Sequence, residues 1–209
     1  MPYPVSVGVK PLLEKRNRLT TAFRLILAIP HLLLVGGLDF AITAGGEDGR
    51  ASLGGEIGLL GLIAGVLAVV SWITIIIAGS HNSAIRQYTQ FYLRWRVRAL
   101  AYLMLFEDAY PPFGDGPYPA AIVVSEPIAP RRRMTVLLRV FLVIPHLIVL
   151  ALMLFAWTLT TIAAWFIILF SGTYPLGLYE FGVGVLRWRL RVEAYMLLMV
   201  DEYPPFSLT

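Results

Sequence analysis

Cysteine is absent from all 209 residues, which excludes a disulfide framework and any thiolate metal or redox centre. Charge is scarce too: 14% of residues are Asp, Glu, Lys or Arg, against about 25% in an ordinary soluble domain. Acids are fewer than bases, 13 against 17. There is no H-E-x-x-H, no Ser–His–Asp arrangement and no plausible pair of catalytic carboxylates. The Gly-rich GLLGLIAG (58–65) is followed by no phosphate-loop lysine and suits close helix packing. The chain therefore reads as no enzyme. The start, MPYPVSVGVKPLLEKRNR, is polar and alternating rather than a short basic n-region, so no cleavable signal is expected.

Hydrophobic residues make up 58% of the chain, which points to a membrane protein. LGLIAGVLAVVSWITIIIAG (60–79) is long enough for one transmembrane helix, which needs about 20 apolar residues. The apolar run 134–172 has 39 residues, too many for one span. It is expected to fold back as two short spans, 134–152 and 155–172. With 19–38 and 57–79 that gives four transmembrane helices.

Shifting the chain by 115 residues lays PYPVSVGV (2–9) over PYPAAIVV (117–124), Arg24 over Arg139 and AIPHL over VIPHL. From Trp72 onward the shift becomes 93, placing LRWR on LRWR and YPPF on YPPF. Matches in order along the chain indicate a tandem duplication. The 22-residue difference is an insertion near 36–56 of the first copy. The copies read as 1–116 and 117–209, divided at the breaker-rich FGDGPYP. Each holds a strand-like PYP segment, a two-span hairpin, an Arg/Trp segment (84–106 or 176–199) and a YPPF end.

If each copy is a hairpin, sixteen of seventeen basic residues fall on one side, and only Arg50 lies opposite, with Asp39, Glu47, Asp48 and Glu56. Basic residues mark the cytoplasmic side, so both termini are expected there. Hairpins inserted in the same sense should be related by a pseudo-two-fold axis along the membrane normal. The fold expected is thus an all-α membrane protein with short cytoplasmic strands.

Three arginines around a tryptophan are costly at the bilayer centre and favourable beside anionic headgroups. Arg94, Trp95, Arg96 and Arg98, with Arg187, Trp188, Arg189 and Arg191, are therefore candidates for lipid-headgroup binding. Their alternation allows a strand, but the surrounding Leu, Ala and Met favour an interfacial helix. One arginine row would meet phosphate and the other protein.

The order R-x-x-L-x-IPH, W-F-x-I-L-F-x-G-x-YP, G-V-L-RW-x-x-RV-x-AY and D-x-YPPF resembles the bacterial membrane family known as domain of unknown function 4389. The second copy carries it throughout, including LFSGTYPLGLYEFGVGVLRW (169–188). The first copy departs at AGSHNSAIRQYTQFYLRW (78–95), where His81 and Asn82 replace Tyr174 and Pro175. The resemblance implies a bacterial inner-membrane location and supplies no catalytic residue.

Four intramembrane polar residues remain: Arg24, His31, Arg139 and His146. The arginines either snorkel to phosphates or pair with the matched Asp108 and Asp201; an aspartate solvated before a turn is the plainer reading. The histidines either support a proline kink, line a path between the copies, or ligate a haem iron axially. No other cofactor and no metal is expected. The basic runs beside the spans suit lipid rather than nucleic acid. The expected role is a scaffold or accessory subunit, binding anionic lipid and either further copies of itself or other membrane-protein subunits. Small-molecule or lipid transport, or electron transfer through haem, are the alternatives.

Overall fold

The computed structural model describes residues 3–37, 58–126 and 133–209, and in between only the backbone of two short paired strands, Ile42–Thr43 and Ser52–Leu53. The elements run β1 (Val5–Val9), α1 (Arg18–Ala22), α2 (Arg24–Val35), β2 (Ile42–Thr43), β3 (Ser52–Leu53) and α3 (Leu59–Ala78). Then follow α4 (Ser83–Leu103), β4 (Ala120–Val124), α5 (Arg133–Ser171) and α6 (Leu176–Met196). The chain is mostly helical, and two helices, α3 and α5, are long and apolar enough to cross a membrane.

The duplication extends to the elements. A shift of 115 carries β1 onto β4 and the start of α1 onto the start of α5. A shift of 93 carries α4 onto α6 and the end of α3 onto the end of α5. The Arg/Trp segments are therefore helices, and the PYP segments lead into strands.

One expectation is overturned. The run 134–172 does not fold back at 152–155, because α5 is a single helix of 39 residues. At 1.5 Å per residue it is about 58 Å long. Between His146 and Ser171 the chain has no Gly or Pro, so nothing ends the helix, and a turn there would expose backbone polar groups among apolar side chains. Even Pro145 lies inside it. Its ring leaves the Phe141 carbonyl without a helical donor, and beside that gap the Tyr203 hydroxyl donates to the Leu142 carbonyl over 3.0 Å.

In the first copy the same path is interrupted. Gly36 and Gly58 both map onto Ala151, inside α5. Gly36 ends α2 at φ 78°, and Gly58 begins α3. A Cβ on Gly58 would overlap the Gly36 nitrogen and the Leu34 carbonyl. The chain thus leaves the row after Gly37, makes its 20-residue excursion and rejoins where it left. α1, α2 and α3 together form a second, broken row as long as α5.

The two rows are antiparallel and meet end to end. Arg16 N–H donates to the Gly172 carbonyl over 3.0 Å, and the Arg18 guanidinium lies against Gly172. At the other end Arg133 lies against Gly79. Two equivalent indoles tie the rows together: Trp72 donates to the Val136 carbonyl (3.0 Å) and Trp165 to the Thr21 carbonyl (2.8 Å).

α4 and α6 form the middle layer, packed on the rows on one side and on the sheet on the other. β1 pairs with β4 antiparallel, and the register centres on the equivalent residues Val7 and Ile122. Val5, Val7, Ala120 and Ile122 face α4 and α6, while Ser6, Gly8, Ala121 and Val123 face outward. The core lies between the layers, around Leu100, Tyr102, Phe106, Trp157, Leu186 and Tyr195. Burying each such side chain contributes about 1.5–3 kcal/mol. Gly182 is what lets α6 pass Trp157 and Phe106, since a Cβ there would sit 2.6 and 2.8 Å from them.

Candidate functional site

Each copy builds one polar cluster where its row crosses its middle-layer helix. It starts from the end of that helix. α4 closes with Phe106 N–H on the Ala101 carbonyl and Leu105 N–H on Tyr102, and α6 closes the same way at Met199 and Leu198. This is the Schellman arrangement, which normally takes glycine at the left-handed position. Here Leu105 (φ 67°) and Leu198 (φ 60°) occupy it, at about 1–2 kcal/mol each. Both leucines are fully buried, so their packing offsets the strain.

Arg24 and Arg139 answer the carbonyls at these ends. Arg24 donates to the Tyr102 carbonyl over 3.0 Å and to the Glu107 carbonyl, and lies 4.2 Å over the Tyr102 ring. Arg139 donates to the Tyr195 carbonyl and lies 4.2 Å over the Tyr195 ring. A cation at a helix C-terminus also complements the macrodipole. Each guanidinium then meets the matched aspartate: Arg24 to Asp108 at 2.7 Å, Arg139 to Asp201 at 3.0 Å. Of the roles open to these arginines, pairing is the one adopted. Arg16 also grips Asp108 at 2.7 Å. Burial alone would raise the Asp108 carboxyl; Arg16, Asn17 and Arg24 hold it below its usual range.

The histidines are clamped within their own copies. Trp95 donates its indole N–H to Nδ1 of His31 at 2.9 Å, and Trp188 donates to Nδ1 of His146 at 3.1 Å. Each imidazole stacks on the phenylalanine of its own YPPF, His31 on Phe113 (4.5 Å) and His146 on Phe206 (3.9 Å). Because Nδ1 accepts, the ring proton of the neutral form sits on Nε2, towards the Pro111 or Pro204 carbonyl without a well-formed hydrogen bond. The spacing of IPH, LRWR and YPPF is thus one packing unit made twice.

The residues assigned to lipid headgroups stand on the middle-layer helices, between the rows and the sheet. Trp95, Trp188, Arg96, Arg98 and Arg189 are buried. Arg96 binds Glu193 at 2.8 Å and donates to the Val35 and Gly37 carbonyls. Arg189 also donates to the Gly37 carbonyl, over 3.0 Å. Arg98 donates to the Gly114 carbonyl over 2.7 Å, Arg187 to the Val7 carbonyl over 3.1 Å and Arg191 to the Thr209 carbonyl over 2.5 Å. Arg94 is more exposed and pairs with Asp115 at 2.9 Å. Both arginine rows meet protein. The acidic loop residues and Arg50, Arg131 and Arg132 lie outside the described residues.

Two acids were missed. Glu193 accepts from Arg96 and from the Tyr92 hydroxyl (2.9 Å). Glu107 is buried with no partner for Oε1 among the described residues, and burial, aided by Asp108, pushes its carboxyl up to about 7 against the opposing Arg16, Arg24 and Lys10. Both had a readable signal: they stand opposite Leu100 and Val200 in segments that otherwise match.

The molecule is therefore a duplicated, largely helical fold whose repeated cluster holds helix ends together. It belongs to the family described as Domain of unknown function (DUF4389), whose pattern matches residues 57–114 and again 133–207, well over half of the chain. The first match begins where the chain rejoins its row, so the insertion separates the front of that copy from the matched part. No curated protein and no solved structure matches the chain.

Proposed function

We propose that this chain is a non-enzymatic structural protein of a bacterial inner membrane, a scaffold or accessory subunit anchored by the outer faces of its two rows. The carrying observation is the division of surfaces. Along α5 the buried positions Val136, Arg139, Val143, His146, Leu150 and Trp157 recur every three to seven residues on one face. The opposite face presents Phe141, Ile148, Leu152, Phe155, Phe166 and Phe170, all more than half exposed. The broken row does the same with Leu25, Ile26, Leu33, Val66, Val69 and Ile77. Apart from the terminal Arg18 or Arg133, the one charge within each apolar row, Arg24 or Arg139, is turned inward. Such a face exceeds what a soluble monomer leaves open.

The tight packing of the polar clusters favours a load-bearing role over chemistry, since each arginine and histidine is already committed to groups of the same chain. Membranes washed with alkaline carbonate should retain the protein, and mild detergent should release it in a particle larger than one chain. Release by carbonate would overturn the membrane reading. A strictly monomeric particle would overturn the scaffold.

A further inference from the structure

We propose that the two rows lie flat in one leaflet of the bilayer, parallel to its plane, rather than crossing it. This rests on the membrane reading above and adds its geometry. The first argument is length: each row is about 58 Å long, roughly twice a hydrocarbon core of about 30 Å. The second is the midpoint. Gly36 and Gly58 map onto Ala151, the nineteenth of the 39 positions of α5, and from there the chain makes an excursion carrying Asp39, Glu47, Asp48, Arg50 and Glu56. Upright rows would put both ends of that charged segment, Gly37 and Gly58, at the bilayer centre, where ionised groups are most costly.

The third argument is the sheet. β1 and β4 form a two-stranded sheet centred on the equivalent pair Val7 and Ile122, on the far side of α4 and α6 from the rows. Because the rows are antiparallel and end-matched, this centre falls near mid-length. A crossing orientation would put an open two-stranded sheet at membrane depth, where unpaired edges are not tolerated. Laid flat, the rows sink their apolar outer faces into acyl chains and keep the sheet and the polar ends in water. The exposed Arg18 and Arg133, one at each end, then meet headgroups of the same leaflet.

The test uses the absence of cysteine. Glu14→Cys lies beside one end of the rows, Ser83→Cys beside the other, and Ser6→Cys on the outer face of the sheet; all three positions are exposed. Each variant is treated with a membrane-impermeant maleimide in spheroplasts and in inverted inner-membrane vesicles. The expected result is labelling of all three in inverted vesicles, with loss of labelling in spheroplasts. Labelling of Glu14→Cys and Ser83→Cys from opposite sides overturns the flat arrangement and leaves the membrane reading standing. Failure of the unmodified chain to float with the vesicles overturns the membrane reading itself.

Discussion

Trp95 donates its indole N–H to Nδ1 of His31 across 2.9 Å, joining residues 64 positions apart, and Trp188 repeats the bond to His146 at 3.1 Å. Both bonds are buried. They connect each long row to its middle-layer helix at the point where the YPPF phenylalanine stacks on the imidazole.

Trp95→Phe should keep the packing and remove the donor. Leaving a buried acceptor unpaired costs about 1–3 kcal/mol, and Trp188→Phe should cost a similar amount. Thermal unfolding in detergent, followed by circular dichroism, reads both. A cycle with His31→Phe should show coupling, so that the double variant loses less than the two single losses added.

Asp108→Asn should be more damaging, because it leaves Arg16 and Arg24 without their carboxylate. Breaking a buried pair costs about 3–5 kcal/mol. The pH dependence has a definite sign. The folded Asp108 carboxyl is held below its ordinary value, so the unfolded chain binds more protons in acid. The stabilisation is complete above about pH 4 and is lost as pH falls through the folded value. Melting from pH 6 to pH 2 should show the unaltered chain converging on Asp108→Asn.

Its neighbour behaves in the opposite sense. Glu107 is raised to about 7 from 4.5, so the folded state holds the extra proton between those values and stability falls as pH rises across that window. Glu107→Gln should therefore melt higher than the unaltered chain at pH 8, by at most about 3 kcal/mol. The gain should vanish below pH 4.5. An equal gain at every pH would contradict the assignment.

The joint in the broken row gives a contrast between two glycines. A Cβ at Gly58 meets backbone of Gly36 and Leu34, which cannot move aside, whereas one at Gly65 meets nothing within 4 Å. Gly58→Ala should open the joint and lower the melting temperature. Gly65→Ala, inside α3, should be neutral or stabilising by up to about 1 kcal/mol.

Much of this was legible in the sequence because residue identity carried it. PYP, IPH, LRWR and YPPF recur at fixed offsets, so the duplication followed from alignment of the chain with itself. Matched Asp108 and Asp201 made the Arg–Asp pairs visible as one of the alternatives. The hairpin at 152–155 failed because hydropathy measures how much apolar chain there is and says nothing about continuity. Only the presence of Gly36, Gly37 and Gly58, and their lack in 146–171, separates a broken row from a whole one. The burial of Trp95 and Arg96 was not legible for another reason: what covers a helix is decided by chain far away in sequence, here the rows and the β1–β4 sheet.

The most direct measurement of the account is depth along α5. Nitroxide labels placed singly at Phe141, Phe155 and Phe170 on its outward face can be ranked by collision with oxygen against a water-soluble nickel chelate. Positions 141 and 170 lie about 44 Å apart along the helix. Flat rows predict one shared depth within the acyl region for all three. A deep Phe155 between two shallow ends, or three labels open to the nickel chelate, would contradict it.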